Sequence, residues 1–115
     1  MSFRRVVIGL TERVYIKGGN GHSRRVMARI DTGATKSSID RKLAEELSLG
    51  PVIKSKVFRS AHGKKVRPIV PVQIIFCGQT MKVHFSVIDR EHMRHRVLIG
   101  INVLKKGFLI DASKK

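Results

Sequence analysis

The sequence predicts a mainly β fold with one or two short helices, and three observations predict it. Short runs of β-branched and aromatic residues alternate with polar ones along most of the chain. Gly-containing turn signals separate those runs at hairpin spacing. Only residues 41–47 place apolar residues four apart behind a capping side chain. The length of 115 residues fits a single domain, 1–115. A chain of that size buries roughly two-thirds of its unfolded surface without staples.

Residues 5–10 open the chain as a strand, and Val14-Tyr15-Ile16 continues it after Thr11-Glu12-Arg13. Gly18-Gly19-Asn20-Gly21 is a hairpin turn. Residues 23–30 form the return strand, which delivers Asp31. Asp40 can cap a helix over 41–47, where Leu43 and Leu47 share a face. Leu49-Gly50-Pro51 ends it. Residues 52–59 and 66–75 flank Ser60-Ala61-His62-Gly63-Lys64-Lys65 and read as a long hairpin with a basic tip. Pro68 and Pro71 mark an edge or bulged strand. Residues 72–77 form an apolar strand in which Cys77 is a small packed residue. Cys77-Gly78-Gln79-Thr80 turns the chain, residues 82–88 alternate as a half-buried strand, and Phe108-Leu109-Ile110 closes it as a C-terminal strand. Phe76, Phe85 and Phe108 fall in apolar patterns and are core candidates.

Two motifs carry chemistry. Ile30-Asp31-Thr32-Gly33-Ala34-Thr35-Lys36-Ser37-Ser38 places a carboxylate at the end of a strand, followed at once by a small-residue turn. Alone, Asp-Thr-Gly is ordinary turn composition. Val97-Leu98-Ile99-Gly100 then leads into Ile101-Asn102-Val103-Leu104, an apolar strand, a glycine and a short helix. Together and in this order, the two resemble the active-site turn and supporting loop of the retropepsins among the aspartic proteases. With Asp89-Arg90, Met93 and residues 108–113 added, nearly the whole chain resembles the prokaryotic retropepsin-like family labelled ATP-dependent zinc proteases.

The resemblance implies a closed β-barrel of the acid-protease type, equivalent to half of a pepsin, acting on a peptide or protein substrate. Two facing carboxylates then share one proton, one acting as base on a water and the other polarising the scissile carbonyl. This chain has one copy of the turn, so Asp31 from each of two chains must meet in a homodimer. Gly33 permits close backbone approach, and Ala34 keeps the floor narrow. By resemblance, Thr32 braces the paired turns, Ser37 or Ser38 supports the loop, and Leu98, Ile99 and Gly100 back the site. The hairpin tip at Ala61, His62, Gly63 and Lys64 is the flap, and chain-end strands build the dimer sheet. Retroviral enzymes often carry Arg after the second-motif glycine, where this chain has Ile101, so a dimer salt bridge from that position is not expected.

No metal or cofactor is expected from the residues. The chain has no His-Glu-x-x-His, no Cys pair and no nucleotide-binding Gly-rich loop. His92 and His95 form an isolated His-x-x-His pair that reads as solvated. Asp111 also follows an apolar run, but it lacks the neighbouring glycine that close approach requires.

Charge is the remaining unusual feature. Lys and Arg number 24 against 8 acids, a formal +16. Such a surface attracts polyanions. Nucleic acid, an acidic polypeptide substrate and plain solubility all remain open as its purpose. With one Tyr and no Trp, little is available to stack bases, so any nucleic-acid binding would be nonspecific and salt-sensitive. A non-catalytic basic module with the same fold is therefore the rival reading. No apolar run approaches the ~20 residues of a membrane span. Residues 1–5 are basic without an apolar stretch, so no signal peptide is expected. The lone Cys77 fits a reducing cytoplasm.

Overall fold

A computed structural model describes residues 5–114; residues 1–4, on which the signal-peptide reading rests, lie outside them. The strands are β1 (Val6–Ile8), β2 (Thr11–Lys17), β3 (Ser23–Ile30), β4 (Ser37–Asp40), β5 (Lys54–Ser60), β6 (Gly63–Phe76), β7 (Gln79–Ile88), β8 (Val97–Ile99) and β9 (Phe108–Ile110). Two short helices, α1 (Arg41–Glu46) and α2 (Ile101–Leu104), complete the fold.

The main sheet runs β2-β3-β8-β4-β7-β6-β5, and β6 also pairs with β2. That second pairing closes six strands into a barrel and leaves β5 attached outside it. The core fills the barrel with Val14, Ile16, Ile39, Ile74, Phe76, Phe85, Val97 and Ile99, among others. Each such side chain contributes ~1.5–3 kcal/mol by leaving water. Phe76 packs on Phe108 with ring centroids 5.1 Å apart, which ties the C-terminal strand to the barrel.

The prolines of β6 are explained by its changing neighbours. Residues 63–69 pair with β5, residues 69–76 with β7, and only residues 73–76 also pair with β2. Pro68 and Pro71 each sit where the strand has one neighbour, so a missing N–H costs nothing.

Several boundaries differ from expectation. The first strand breaks at Gly9-Leu10, because β1 leaves the barrel to pair in parallel with β9, Val6 opposite Phe108. The Gly9 N–H donates to Glu12 Oε1 at 3.0 Å at this break. Two chain-end strands thus pair within one chain. The β5 strand begins at Lys54 rather than at 52. Cys77 lies in the two-residue turn after β6, with φ of 51°, beside Gly78 at 78°. Its apolar run ends at Phe76 because the hairpin closes there, Phe76 opposite Gln79. Four-residue β4 has no counterpart in the sequence reading. Its hydroxyls break the apolar pattern, yet all four side chains are buried.

Candidate active site

Asp31 emerges where β3 and β8 run side by side in parallel, Ile30 opposite Ile99. Its N–H donates to the Ile99 carbonyl at 2.9 Å, which fixes the residue at the end of the barrel. The chain then turns back on itself. The Gly33 N–H donates to Asp31 Oδ1 at 2.8 Å, and the Ala34 N–H to the Asp31 carbonyl at 3.3 Å. Asp31 is half-buried, whereas Thr32 and Gly33 are exposed. A Cβ at Gly33 would stand 3.1 Å from Asp31 Oδ1 and crowd the carboxylate.

The turn rests on α2 and the end of β8. The Ile101 and Asn102 N–H groups donate to the carbonyls of Ala34 (2.8 Å) and Thr35 (3.2 Å). Gly100 is required by this approach, since a Cβ there would lie 2.5 Å from the Lys36 carbonyl oxygen and 2.7 Å from that of Ala34. Ser37, fully buried, accepts from the Gly100 N–H at 3.0 Å and donates to Asn102 Oδ1 at 2.8 Å. Asn102 Nδ2 in turn donates to the His84 carbonyl at 3.1 Å. Of the two serines, Ser37 makes the link between turn and loop; Ser38 faces the other way.

That other face carries a second set of polar groups. Arg29, Leu98, Ser38 and Ser86 are register partners across β3, β8, β4 and β7. Two residues beyond Ser38 lies Asp40, 1% exposed. Its carboxylate accepts from the Arg90 N–H at 2.8 Å, the Leu43 N–H at 3.4 Å and the Arg96 guanidinium at 3.0 Å. Burial alone would raise the Asp40 pKa, but these donors outweigh it and hold it below the usual value. Arg90 is 5% exposed, and its Nε donates to the His95 carbonyl at 2.9 Å. Burial and the like charge of Arg29 lower its pKa, while Asp31 and Asp40 oppose them. The sequence reading treated Arg90 as one letter of a motif, because an arginine in a polar loop reads as solvated.

The expected flap is the hairpin of β5 and β6. Its tip is Ala61-His62, and Gly63 begins β6 with φ of 116°. Lys64 and Lys65 belong to the strand rather than the tip, because pairing extends to Ser60 opposite Gly63. Ala61, His62, Gly63 and Lys64 are all exposed.

Asp111 accepts from the N–H and hydroxyl of Ser113 at 2.9 and 2.6 Å, so its carboxylate is engaged in its own turn. Among the described residues no three His, Cys, Asp or Glu side chains converge as a metal site. A groove of about 770 Å³ lies between α1 and the base of the hairpin, lined by Leu49, Val52, Val66, Pro68, Val87 and Met93 among others. Asp31 does not line it. No described helix is long and apolar enough to cross a membrane.

A closed six-stranded barrel with an Asp-Thr-Gly-Ala turn seated on an apolar-Gly loop defines a retropepsin-like aspartic protease domain. The aspartyl protease family model matches residues 13–103, and the chain belongs to that family. No curated protein sequence matches it. Among solved structures, a Legionella pneumophila protein of unknown function aligns at TM-score 0.64 and 14% identity, covering 94% of each chain. The inhibitor-bound EIAV protease aligns at TM-score 0.64 and 22% identity, over 83% of this chain and 84% of that one. A retropepsin-like aspartic protease from Rickettsia conorii aligns at TM-score 0.57 and 22% identity, over 88% and 87%. At these identities the likeness establishes the fold.

Proposed function

We propose that the protein is an aspartic endopeptidase whose active site forms between two copies, each contributing Asp31. The observation that carries this reading is the seating of a single half-buried carboxylate in an exposed turn at the barrel end. Paired across a two-fold axis, two such carboxylates hold one proton between them. One takes a proton from a bound water, which attacks the peptide carbonyl; the other donates to the carbonyl oxygen. Exposed Thr32 is available to brace the opposite turn. Exposed Val7, Leu10 and Leu109 lie nearby, Leu10 accepting from the Ile30 N–H at 2.9 Å, and offer apolar surface for a second copy. The β5–β6 hairpin would close over the bound peptide.

Sedimentation equilibrium and peptide-library cleavage test this, run on wild type and Asp31→Asn, each with and without chelator. The reading expects a dimer that cuts, is unaffected by chelation and is inactive as Asp31→Asn. Cutting by a monomer, or chelator-sensitive cutting, overturns it. A second reading draws on the hairpin's charge. Lys54, Lys56, Arg59, Lys64, Lys65 and Arg67 occur there without an intervening acid. Salt-sensitive polyanion binding that survives Asp31→Asn, with no cleavage, would favour a binding module.

A further inference from the structure

We propose that the outward face of β2, β3, β6 and β7, centred on Tyr15, binds single-stranded nucleic acid, with a base stacked on Tyr15 and phosphates on the cations around it. The proposal stands apart from the endopeptidase reading and uses surface other than the hairpin.

Strand alternation builds this face. In β2, Val14 and Ile16 fill the barrel, so Arg13, Tyr15 and Lys17 point outward. Register carries the face across the sheet. Tyr15 lies between Arg25 of β3 and Ile75 of β6, and Ile75 lies opposite Thr80 of β7. The next row on the same face is Ser23, Lys17, Gln73 and Lys82. On the other side of the Tyr15 row, Arg13 stands opposite Met27. With strands ~4.8 Å apart, a full row spans about 14 Å.

The centre of the face is apolar and its surroundings are cationic. Tyr15, Met27 and Ile75 are 43%, 45% and 46% exposed. Phe76, Phe85 and Phe108 are buried, and half-buried Phe58 has Arg67 4.3 Å from its ring centre. Among the described residues Tyr15 is therefore the aromatic ring most open to solvent. The Arg25 guanidinium lies 5.9 Å from its centre and donates to its hydroxyl at 3.5 Å. No described carboxylate lies within ion-pair distance of Arg13, Lys17, Arg25 or Lys82. Glu12, the acid these strands contain, shares the inward parity of Val14 and accepts from the Gly9 N–H.

A sheet surface of this composition fits a chain of unpaired bases. A Tyr ring stacks on the π-face of any base, and cations track the phosphates. A duplex hides its base faces and can use only the cations. An acidic polypeptide would meet the charges but brings no flat partner for the ring. Past Lys17 and Gln73 the face runs into a recess of about 220 Å³, also lined by Gly18, Gly50 and Pro71. A base turned out of the strand can meet the Gln73 amide there.

Fluorescence anisotropy tests this with short labelled oligouridylate and oligothymidylate, a duplex of the same length, and polyglutamate as competitor. Wild type is expected to hold the single strands about fivefold or more tighter than the duplex. The uridylate and thymidylate arms distinguish RNA from DNA. Tyr15→Thr keeps a strand-forming residue and should weaken single-strand binding about fivefold or more, whereas Tyr15→Phe should retain it. Arg25→Gln should lower the salt slope by about 0.7. Absence of binding at low salt overturns the proposal. Equal binding of duplex and single strand, or no loss in Tyr15→Thr, would leave phosphate attraction alone and also overturns it. So does polyglutamate that displaces the oligonucleotide as readily as unlabelled oligonucleotide of equal charge, which would assign the face to an acidic protein. Lys56→Gln, on the hairpin, should matter less than Arg25→Gln; the reverse order overturns the proposal and moves the site to the hairpin. If Tyr15→Thr does not fold, photocrosslinking of an iodouridine-substituted oligonucleotide to wild type decides. Label on β2 or β3 around Tyr15 supports the face, and label confined to other parts of the chain overturns it.

Discussion

β4 and β8 bury every side chain they carry, whereas β5 and the outer part of β6 leave nearly all of theirs in solvent. The two regions lie on either side of the expected substrate path and differ in what holds them. Behind Asp31, backbone carbonyls, Ser37 and Asn102 make a network in which each donor has a named acceptor. In the hairpin, cross-strand pairing holds the shape while the side chains oppose one another. Lys56 faces Arg67, and Arg59 faces Lys64. Like charges directly opposite are destabilising. The comparison suggests a fixed floor that positions the carboxylate and a compliant cationic cover whose stability depends on what it meets.

The largest effect should come from the floor. Gly100→Ala would force a methyl to within 2.5 Å of a backbone oxygen that cannot move without dragging the Asp31 turn. A loss of about 3 kcal/mol or more in urea unfolding is expected, or no folded protein. Ser37→Ala comes next. It removes the acceptor for the Gly100 N–H and the donor to Asn102 Oδ1, both inside the protein. A cost of about 1–3 kcal/mol is expected, together with lost cleavage as the turn loosens. A neutral result at either position would mean that the floor is not rigid.

Asp40 gives the comparison a pH dependence. Its folded pKa lies below the ordinary value of 3.8, so its contribution to stability is present above that value. The contribution is lost as pH falls from there through the lower folded pKa. Wild type should therefore lose stability in that acid range more steeply than Asp40→Asn, as followed by urea midpoints across pH. Parallel curves for the two proteins would show that Asp40 is not held ionised by Arg90, Arg96 and Leu43.

Much of this architecture was legible in the sequence because it depends on local pattern. The Asp31 turn, the Asp40 cap and the end of β3 are encoded in contiguous residues, and each appears where expected. Ser37 and Asn102 belong to quoted motifs, yet their bond spans 65 positions, and periodicity carries no signal for it. Strand β4 was missed because burial there is provided by neighbouring strands while its own residues are half polar. Arg90 was missed for the converse reason. A cation in a charged loop looks solvated, yet Arg90 is only 5% exposed, its N–H bonded to Asp40 and its Nε to the His95 carbonyl.

The smallest effect belongs to the cover. Val57 and Val66 face each other in the open at 51% and 64% exposure. Beside them Arg67 lies 4.3 Å and Lys56 5.8 Å from the centre of the Phe58 ring. The ring eases two neighbouring cations through its negative face, but it supplies no countercharge. Lys56→Glu would turn the Lys56–Arg67 repulsion into an attraction. Stability should rise by about 0.2–1 kcal/mol, a sign opposite to the floor substitutions. The same change removes two units of positive charge from the hairpin, so elution from a heparin column should shift to lower salt. Unchanged elution would show that polyanions meet the protein elsewhere on its basic surface. Lowered stability would show that Lys56 has a partner beyond the ring, and the hairpin would then be braced rather than self-opposed.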